Sequence, residues 1–233
     1  MLSTSRFTGA ALAAAFLVSP LAAQTPTTPP GPPPRPMFDT TGVGDTSIFA
    51  PLKLPIGTIY RSGSGMPGPK YWQQRASYDL RATLDTGAKM LKGELTLRYT
   101  NNSPDTLRFI WFQVEQNAFK SNSLNSYVFP AESRFGARNF EGGTTFDRVN
   151  QVTGTTKTAL KTRVDGTQMK VDLPAPLPPG QATTFDIAWH FTIPEHGADR
   201  MGRDGPLYEL AQWYPRVSVY DDLRGWNTEP YLG

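Results

Sequence analysis

Histidines and acids that could hold a catalytic zinc ion are scarce in this sequence. The only histidines among the 233 residues are His190 and His196, and Glu195 precedes the second of them. A zinc site of the His-Glu-x-x-His type places two imidazoles one helical turn apart with a general base between them. His190 instead falls in a strand-like stretch and His196 in a turn. We predict that both histidines face solvent and that this chain holds no metal; a site built from both histidines and nearby acids is the alternative.

Serines and carboxylates likewise form no complete catalytic arrangement in the sequence. The loop serines lack the Gly-x-Ser-x-Gly turn that exposes a nucleophile above a sheet. Paired carboxylates could support glycoside hydrolysis, but position in the sequence does not fix the separation that this reaction needs. The residues alone predict no catalytic site, and a small carboxylate-dependent glycosidase stays an alternative. Its candidate acids are Glu195, Asp199, Asp204, Asp221 and Asp222.

Residues 207–233 are unusually rich in aromatic side chains, which alternate with Gln212, Arg216 and Asn227. This mixture is typical of a concave, partly hydrated surface. We interpret the segment as a contact surface, either for a further domain or for a ligand. In the second case the chain would be a self-contained secreted β-sandwich that binds protein or glycan. The stacking side chains would then be Trp213, Tyr214, Tyr220 and Trp226.

Alternating apolar and polar residues predict the strands that must position these groups. Residues 78–84 and 91–99 alternate with the period of half-buried strands and flank the turn Asp85-Thr86-Gly87. A second hairpin is predicted for residues 160–164 and 169–173 around Asp165-Gly166. Residues 185–193 alternate most regularly, with the large side chains on one face.

Other segments are assigned from composition. Residues 107–114 are apolar on both faces, which predicts a strand covered from both sides. Residues 121–143 are expected to form a long loop with a short helical turn, and the proline-rich residues 174–180 a reversal of the chain. The 22 prolines and 21 glycines disfavour long helices. The predicted fold class is all-β, a saddle-like or sandwich-like domain.

Composition excludes several classes of function. With no cysteine, disulfides, thiol catalysis and thiolate metal sites are excluded. The net charge of +3 arises from 23 basic and 20 acidic residues that form no basic run. We therefore expect no nucleic-acid partner.

The N-terminus has the pattern of an export signal. Arg6 precedes an apolar run at residues 10–18, and small residues end at Ala23. The run is shorter than the about 20 residues that span a bilayer, so we predict a cleaved signal peptide at 1–23, with an uncleaved anchor as the alternative. Periplasmic or extracellular location without a membrane span follows. Residues 24–69 are predicted to be a Pro/Gly-rich linker and irregular arm, and 70–233 the β domain.

Four short runs carry a resemblance to a known family. They are YWQQ (71–74), GELTL (93–97), AQWYPRV (211–217) and GWNTEPY (225–231). Together they resemble the N-terminal domain of the aminopeptidase N family of zinc metallopeptidases, in particular its exported bacterial branch. The resemblance covers roughly residues 71–233, and its last two runs are the specific ones.

The resemblance implies a saddle-shaped β domain that precedes a thermolysin-like catalytic domain with a His-Glu-x-x-His zinc site. None of the catalytic motifs occurs in this chain. We expect a fragment that is inactive alone, whose partner is that catalytic domain and whose substrate is a peptide. Zinc belongs to the full-length enzyme, where zinc-activated water would attack the peptide carbonyl.

The resemblance also assigns two candidate substrate-binding residues. Gln212 matches the first residue of the family's Gln-x-Glu or Gln-x-Gln motif, which lines the first specificity pocket and binds the free amine of the substrate. Tyr214 stands where the family has Glu or Gln. A phenol can accept a hydrogen bond but brings no counter-charge at neutral pH. The alternative is that Gln212 pairs with backbone and that Tyr214 packs at the domain interface.

Overall fold

The computed structural model describes residues 56–130, 132–133, 140–195 and 200–232. The predicted signal peptide, residues 24–55 of the predicted linker, and His196 and Asp199 lie outside these ranges. The described residues belong to one compact unit, Ile56–Gly233. Within them, no helix has the length and apolar character needed to cross a bilayer.

The described residues form mainly antiparallel strands, which confirms the predicted all-β class. A 3-10 helix at Glu115–Phe119 and the short helix α1 at Leu124–Val128 are the helical elements of the described part. The strands in chain order are β1 Arg75–Asp85, β2 Met90–Thr100, β3 Leu107–Gln113, β4 Thr145–Thr153, β5 Thr156–Ala159, β6 Thr162–Asp165, β7 Gln168–Leu177, β8 Ala182–Thr192, β9 Met201–Asp204, β10 Leu207–Leu210, β11 Arg216–Val217, β12 Tyr220–Asp221 and β13 Gly225–Trp226.

Two sheets pack face to face around one core. The larger has the order β1-β2-β8-β4-β5 and the smaller the order β11-β3-β7-β6, while β9-β10 and β12-β13 are separate hairpins. The inward side chains of β2, β8, β3 and β7 form a single apolar cluster. Phe112 of β3 meets Phe185 of β8 edge to face, with ring centroids 5.7 Å apart. This contact joins the two layers directly.

Both predicted hairpins are present. β1 and β2 pair from Arg75–Thr100 to Asp85–Met90, and Asp85 Oδ1 accepts a 2.8 Å hydrogen bond from the Ala88 amide within the turn. In the second hairpin Asp165 pairs with Gln168, so the turn residues are Gly166 and Thr167, one position later than predicted. Gly166 has φ 53°, which glycine adopts without strain. The predicted helical turn within residues 121–143 is also present, as α1 with Ser123 as its N-cap.

The prediction that β3 is covered on both faces is wrong in part. Ile110 and Phe112 are fully buried, but Phe109 and Trp111 on the opposite face are only half-buried. The outer face of the smaller sheet carries partial cover from polar side chains, and the Lys170 ammonium lies 4.2 Å from the Phe109 ring centroid.

The predicted reversal at residues 174–180 begins too early. β7 continues to Leu177, and the register with β3 jumps from Phe109–Asp172 to Leu107–Leu177. Pro174 and Pro176 therefore lie in an irregular stretch that needs no ladder hydrogen bond from them, which is where a strand tolerates proline.

Strands β4 and β5 have no counterpart among the predicted elements. The register of β4 against β8 shifts between Phe146 and Arg148, so Asp147 is an extra residue in the ladder. A bulge of this kind interrupts the two-residue period by which a strand is recognised in sequence. β5 is exposed at all four positions and shows no apolar face.

Candidate functional site

The terminal segment, residues 207–232, contacts both sheets. β11 pairs with β3 of the smaller sheet, and the Gln168 side-chain amide of β7 donates to the Glu229 carbonyl at 2.9 Å. On the larger sheet, Trp213 stacks on the buried Trp189 with centroids 6.1 Å apart. Trp189 Nε1 also donates to the Trp213 carbonyl at 3.0 Å. The segment predicted to be a contact surface is thus fixed along most of its length.

Gln212 adopts an unusual backbone conformation within this segment. Its φ of 45° lies in the left-handed region, where residues other than glycine are rare. The buried Gln116 donates from Nε2 to the Ala211 carbonyl at 2.9 Å and to the Gln212 carbonyl at 3.2 Å. Gln212 itself is half-buried. The structure thus gives Gln212 a polar backbone contact, and the predicted role of its side chain stays a prediction.

An ion pair between a buried carboxylate and a partly exposed arginine anchors the other end of the same stretch. The Glu115 side chain is 2% exposed, and its Oε1 accepts from both Nε and Nη2 of Arg216. Arg216 Nη2 also donates to Gln113 Oε1 at 3.0 Å. Burial lowers the pKa of Arg216, but the Glu115 carboxylate more than offsets this and raises the pKa above its ordinary value.

Sequence reasoning missed Glu115 and Gln116 as contacts of the candidate site. The available signal was the polar run Glu115-Gln116-Asn117 directly after an apolar strand, which is an unusual place for three residues that are all buried. Their partners lie about a hundred positions away in the chain, and no local pattern identifies them.

Tyr214 packs edge to face against two neighbouring rings. Its ring centroid lies 5.7 Å from that of Tyr78 and 5.1 Å from that of Trp213. The Tyr78 hydroxyl accepts a 2.9 Å hydrogen bond from the Val217 amide. Burial raises the pKa of the Tyr78 hydroxyl, which therefore stays protonated at neutral pH. Tyr214 is half-buried, and its role in substrate binding stays a prediction.

The other aromatic rings of the segment are also in contact with one another or with the core. Tyr220 lies against Trp226 at 4.9 Å and stacks on Trp72 at 5.8 Å, and Trp226 stacks on the buried Tyr99 at 6.3 Å. Each of the four predicted stacking residues is half-buried. Much of their ring surface contributes to the fold, and ligand binding by these rings stays a prediction.

The predicted metal candidates do not converge in the described part of the chain. His190 Nδ1 lies 3.0 Å from Asp147 Oδ1, a neighbour that the bulge in β4 supplies. Glu195 Oε2 instead pairs with Arg203 at 3.3 Å. No group of three His, Cys, Asp or Glu side chains able to hold a metal ion occurs among the described residues. His196, the other histidine of that alternative, lies outside the described residues, so the absence of a metal site stays a prediction.

The adjacent acids of the glycosidase alternative have structural partners. The Asp222 side chain is 4% exposed, and its two oxygens accept from Arg61 Nε at 2.9 and 3.0 Å. Asp221 Oδ1 accepts from the amides of Leu223 and Arg224, at 3.0 and 2.8 Å. Asp222 thus binds the segment that contains Arg61, and Asp221 stabilises the turn between β12 and β13.

These observations define a two-layered β domain whose aromatic terminal segment is fixed against both sheets. No protein-family model matches the sequence, and no curated protein matches it. Solved structures that are similar to it include an M1 zinc metallopeptidase from Deinococcus radiodurans, with 16% identity over 68% of this chain and 28% of that chain and a TM-score of 0.35. A mutant two-domain M1 zinc metallopeptidase bound to L-arginine has 15% identity, covers 69% of this chain and 29% of that chain, and has a TM-score of 0.35. The chain spans less than a third of the length of these proteins.

Proposed function

We propose that this chain is the non-catalytic N-terminal β domain of an exported zinc metallopeptidase of the aminopeptidase type. In the complete enzyme it forms one wall of the substrate cleft, and Gln212 contributes to recognition of the N-terminal residue of a peptide. Zinc and the general base belong to a separate thermolysin-like domain, and no catalytic step is assigned to the residues described above.

The observation that carries this proposal is the left-handed backbone of Gln212. Residues other than glycine persist in this conformation only where the surrounding structure enforces it, and such residues cluster at functional sites. Here the strain falls on the residue that the family resemblance marks as substrate-binding. Among the residues that the structure describes, the other left-handed non-glycine residues are Lys89, in the β1–β2 turn, and Arg200, which flanks the undescribed residues 196–199.

Exposed apolar side chains on the terminal segment support the presence of a partner domain. Leu207, Val219 and Leu223 are 57%, 59% and 60% exposed. Exposed apolar side chains become a docking surface only where they form a contiguous patch. In the proposed enzyme, the catalytic domain would cover these three side chains.

The experiment is to read the gene beyond codon 233 and to express the longest frame. We expect a His-Glu-x-x-His motif within the next couple of hundred residues, and release of free N-terminal amino acids from peptides. Gln212→Ala should raise KM for these peptides, whereas Gln73→Ala, a change at an exposed glutamine outside the segment, should not. A frame without the motif, or a product without peptidase activity, would sink the proposal.

A further inference from the structure

Gln116 is a buried glutamine whose side chain serves the backbone of another segment. It is 3% exposed, and both hydrogen bonds that its Nε2 donates go to the carbonyls of Ala211 and Gln212. Carbonyls only accept, so the amide must present nitrogen to them and point its oxygen elsewhere. Gln116 Oε1 is buried without a hydrogen-bond partner in the described part of the chain.

That arrangement is unfavourable for Gln116 itself. A buried acceptor without a donor destabilises the fold, and natural structures contain few such atoms. The two donated bonds go to the peptide carbonyls next to the residue with the left-handed φ. The Gln116 side chain therefore holds in place a backbone conformation that the isolated segment would avoid.

Glu115, the preceding residue, fixes the opposite end of the same stretch. Its buried carboxylate binds Arg216, four residues after Gln212, and β11 begins there by pairing with Gln113. Adjacent residues of one 3-10 helix thus hold the stretch on both sides of Trp213 and Tyr214. Movement of that helix would displace Gln212 and Tyr214 together.

We propose that Gln116, assisted by Glu115, is a positioning residue that sets the direction in which Gln212 meets the N-terminus of the peptide. Gln116 acts through the backbone of Gln212 and does not touch the substrate. This inference rests on the proposed function. It adds Gln116 and Glu115, which are distant from Gln212 in the sequence, as residues on which the specificity of that site depends.

The test compares two buried glutamines that both donate from Nε2 to backbone carbonyls of the terminal segment. Gln116→Met keeps the volume and removes the donor. Gln168→Met is the matched control, because Gln168 is also buried and its Nε2 also donates to a carbonyl of the terminal segment, that of Glu229. Each substitution is made in the full gene product, for kinetics with aminoacyl substrates, and in this chain, for measurement of the Gln212 φ by NMR. Glu115→Gln, which keeps the contact with Arg216 and removes the charge, is a second and milder variant.

We expect Gln116→Met to raise KM about tenfold with kcat unchanged, because misplacement of a binding group weakens ground state and transition state alike. Gln212 should lose its positive φ in the same variant. Gln168→Met should leave both quantities unchanged, and Glu115→Gln should raise KM by a smaller factor. An equal rise in KM for Gln116→Met and Gln168→Met would indicate general loosening and overturn the inference, as would an unchanged KM with a displaced φ.

The failure of this inference differs from the failure of the proposed function. An active peptidase whose KM is insensitive to Gln116→Met overturns the positioning role and leaves the proposed function standing. A full gene product that releases no N-terminal residue from any peptide overturns both.

Discussion

At the scale of single residues, the absence of a side chain at Gly93 decides how the core is filled. Gly93 lies on β2 opposite Trp189 of β8, and the indole occupies the space beside its Cα. Trp189 is 1% exposed and supports Trp213 of the terminal segment by stacking and by a hydrogen bond. The glycine thus makes room for the residue on which the candidate site rests.

Gly93→Ala should destabilise the domain strongly. A Cβ at this position would overlap Cζ2 and Cε2 of Trp189, a rigid ring that is held on all sides. Overpacking of this kind costs about 1–3 kcal/mol in free energy of unfolding, measured by urea denaturation. Gly87→Ala is the control, because its Cβ would meet only Asp85 Oδ1 at 3.4 Å, an ordinary contact. Equal stability of the two variants would contradict this account of the Trp189 packing.

At the scale of elements, ion pairs cover the outer face of the larger sheet. Asp186 of the central strand β8 is buried, although it points away from the core. Arg148 of β4 donates to it at 2.9 and 3.1 Å, and Lys157 of β5 lies 2.9 Å away. One carboxylate therefore joins three strands. The sequence identifies Asp186 as a polar-face residue, but its burial depends on two strands that sequence patterns do not reveal.

Asp186→Asn should destabilise the sheet in a pH-dependent way. Burial raises the pKa of Asp186, but hydrogen bonds from Arg148 and Lys157 outweigh it and hold the pKa below its ordinary value. A lowered folded-state pKa contributes stability above the unfolded pKa of about 4, and this contribution disappears as the pH falls through the folded-state pKa. We expect Asp186→Asn to lower the unfolding free energy by about 1–3 kcal/mol at pH 7.

Below the folded-state pKa, wild type and Asp186→Asn should have the same stability in chemical denaturation. Asp172→Asn is the control, because Asp172 forms a partly exposed pair with Lys170 at 3.2 Å, worth at most about 1 kcal/mol. A stability difference for Asp186→Asn that persists unchanged to strongly acidic pH would show that the ion pairs are not its cause.

A second element-scale contact ties the arm at residues 56–70 to the β12–β13 hairpin. Arg61 binds both carboxylate oxygens of Asp222, and its guanidinium lies 4.9 Å from the Tyr71 ring centroid. The Asp222 carboxylate raises the pKa of Arg61, which stays charged throughout the accessible pH range. The arm has its own turn hydrogen bonds, such as the one from the Ser62 amide to the Met66 carbonyl, and this contact fixes it to the hairpin.

Asp222→Asn should release the arm without unfolding the sheets. We expect faster amide hydrogen exchange at residues 58–68 and unchanged exchange in β2 and β8. In a double-mutant cycle with Arg61→Ala, the coupling free energy should be about 2 kcal/mol, because the hydrogen bonds are charged and largely shielded from water. Additive effects of the two substitutions would contradict a direct pair. Arg75→Ala, at an exposed position of β1, should leave exchange in the arm unchanged.

At the scale of the whole molecule, local periodicity predicts only part of the fold. The strands with an uninterrupted apolar face, β2 and β8, are predicted well because each alternates over its full length. β4 is hidden by its bulge at Asp147, and β7 is predicted too short because prolines in an irregular stretch imitate a turn. β11, β12 and β13 have two residues each, too few to form a pattern.

The sequence likewise predicts only part of the candidate site. Gln212 and Tyr214 are candidates because of a resemblance carried by consecutive residues, and their role in substrate binding stays a prediction. Their supports, Glu115, Gln116 and Trp189, are brought to them by the packing of the two sheets. Nothing in the sequence indicates the positive φ of Gln212, because glutamine has no preference for that conformation. It adopts the conformation here through tertiary contacts.

The terminal segment should be indispensable to the folded domain. A chain that ends at Pro206 would leave Trp189 and Tyr99 without the rings of Trp213 and Trp226, and β3 without its β11 partner. Each aromatic pair contributes about 0.5–1.5 kcal/mol beyond the apolar area that it buries. Loss of both pairs, of that buried area and of the β11 pairing is large against a total stability of about 5–15 kcal/mol for a typical domain. We expect the truncated chain to lose its near-UV circular dichroism and its cooperative thermal transition, and to bind a hydrophobic dye.

A chain that ends at Tyr231 is the control. It keeps the hydrogen bond from the Tyr231 amide to Thr167 Oγ1 and loses only the exposed Leu232 and the final Gly233. Cooperative unfolding of the chain that ends at Pro206 would mean that the two sheets are stable without the segment, and that its aromatic residues serve binding alone.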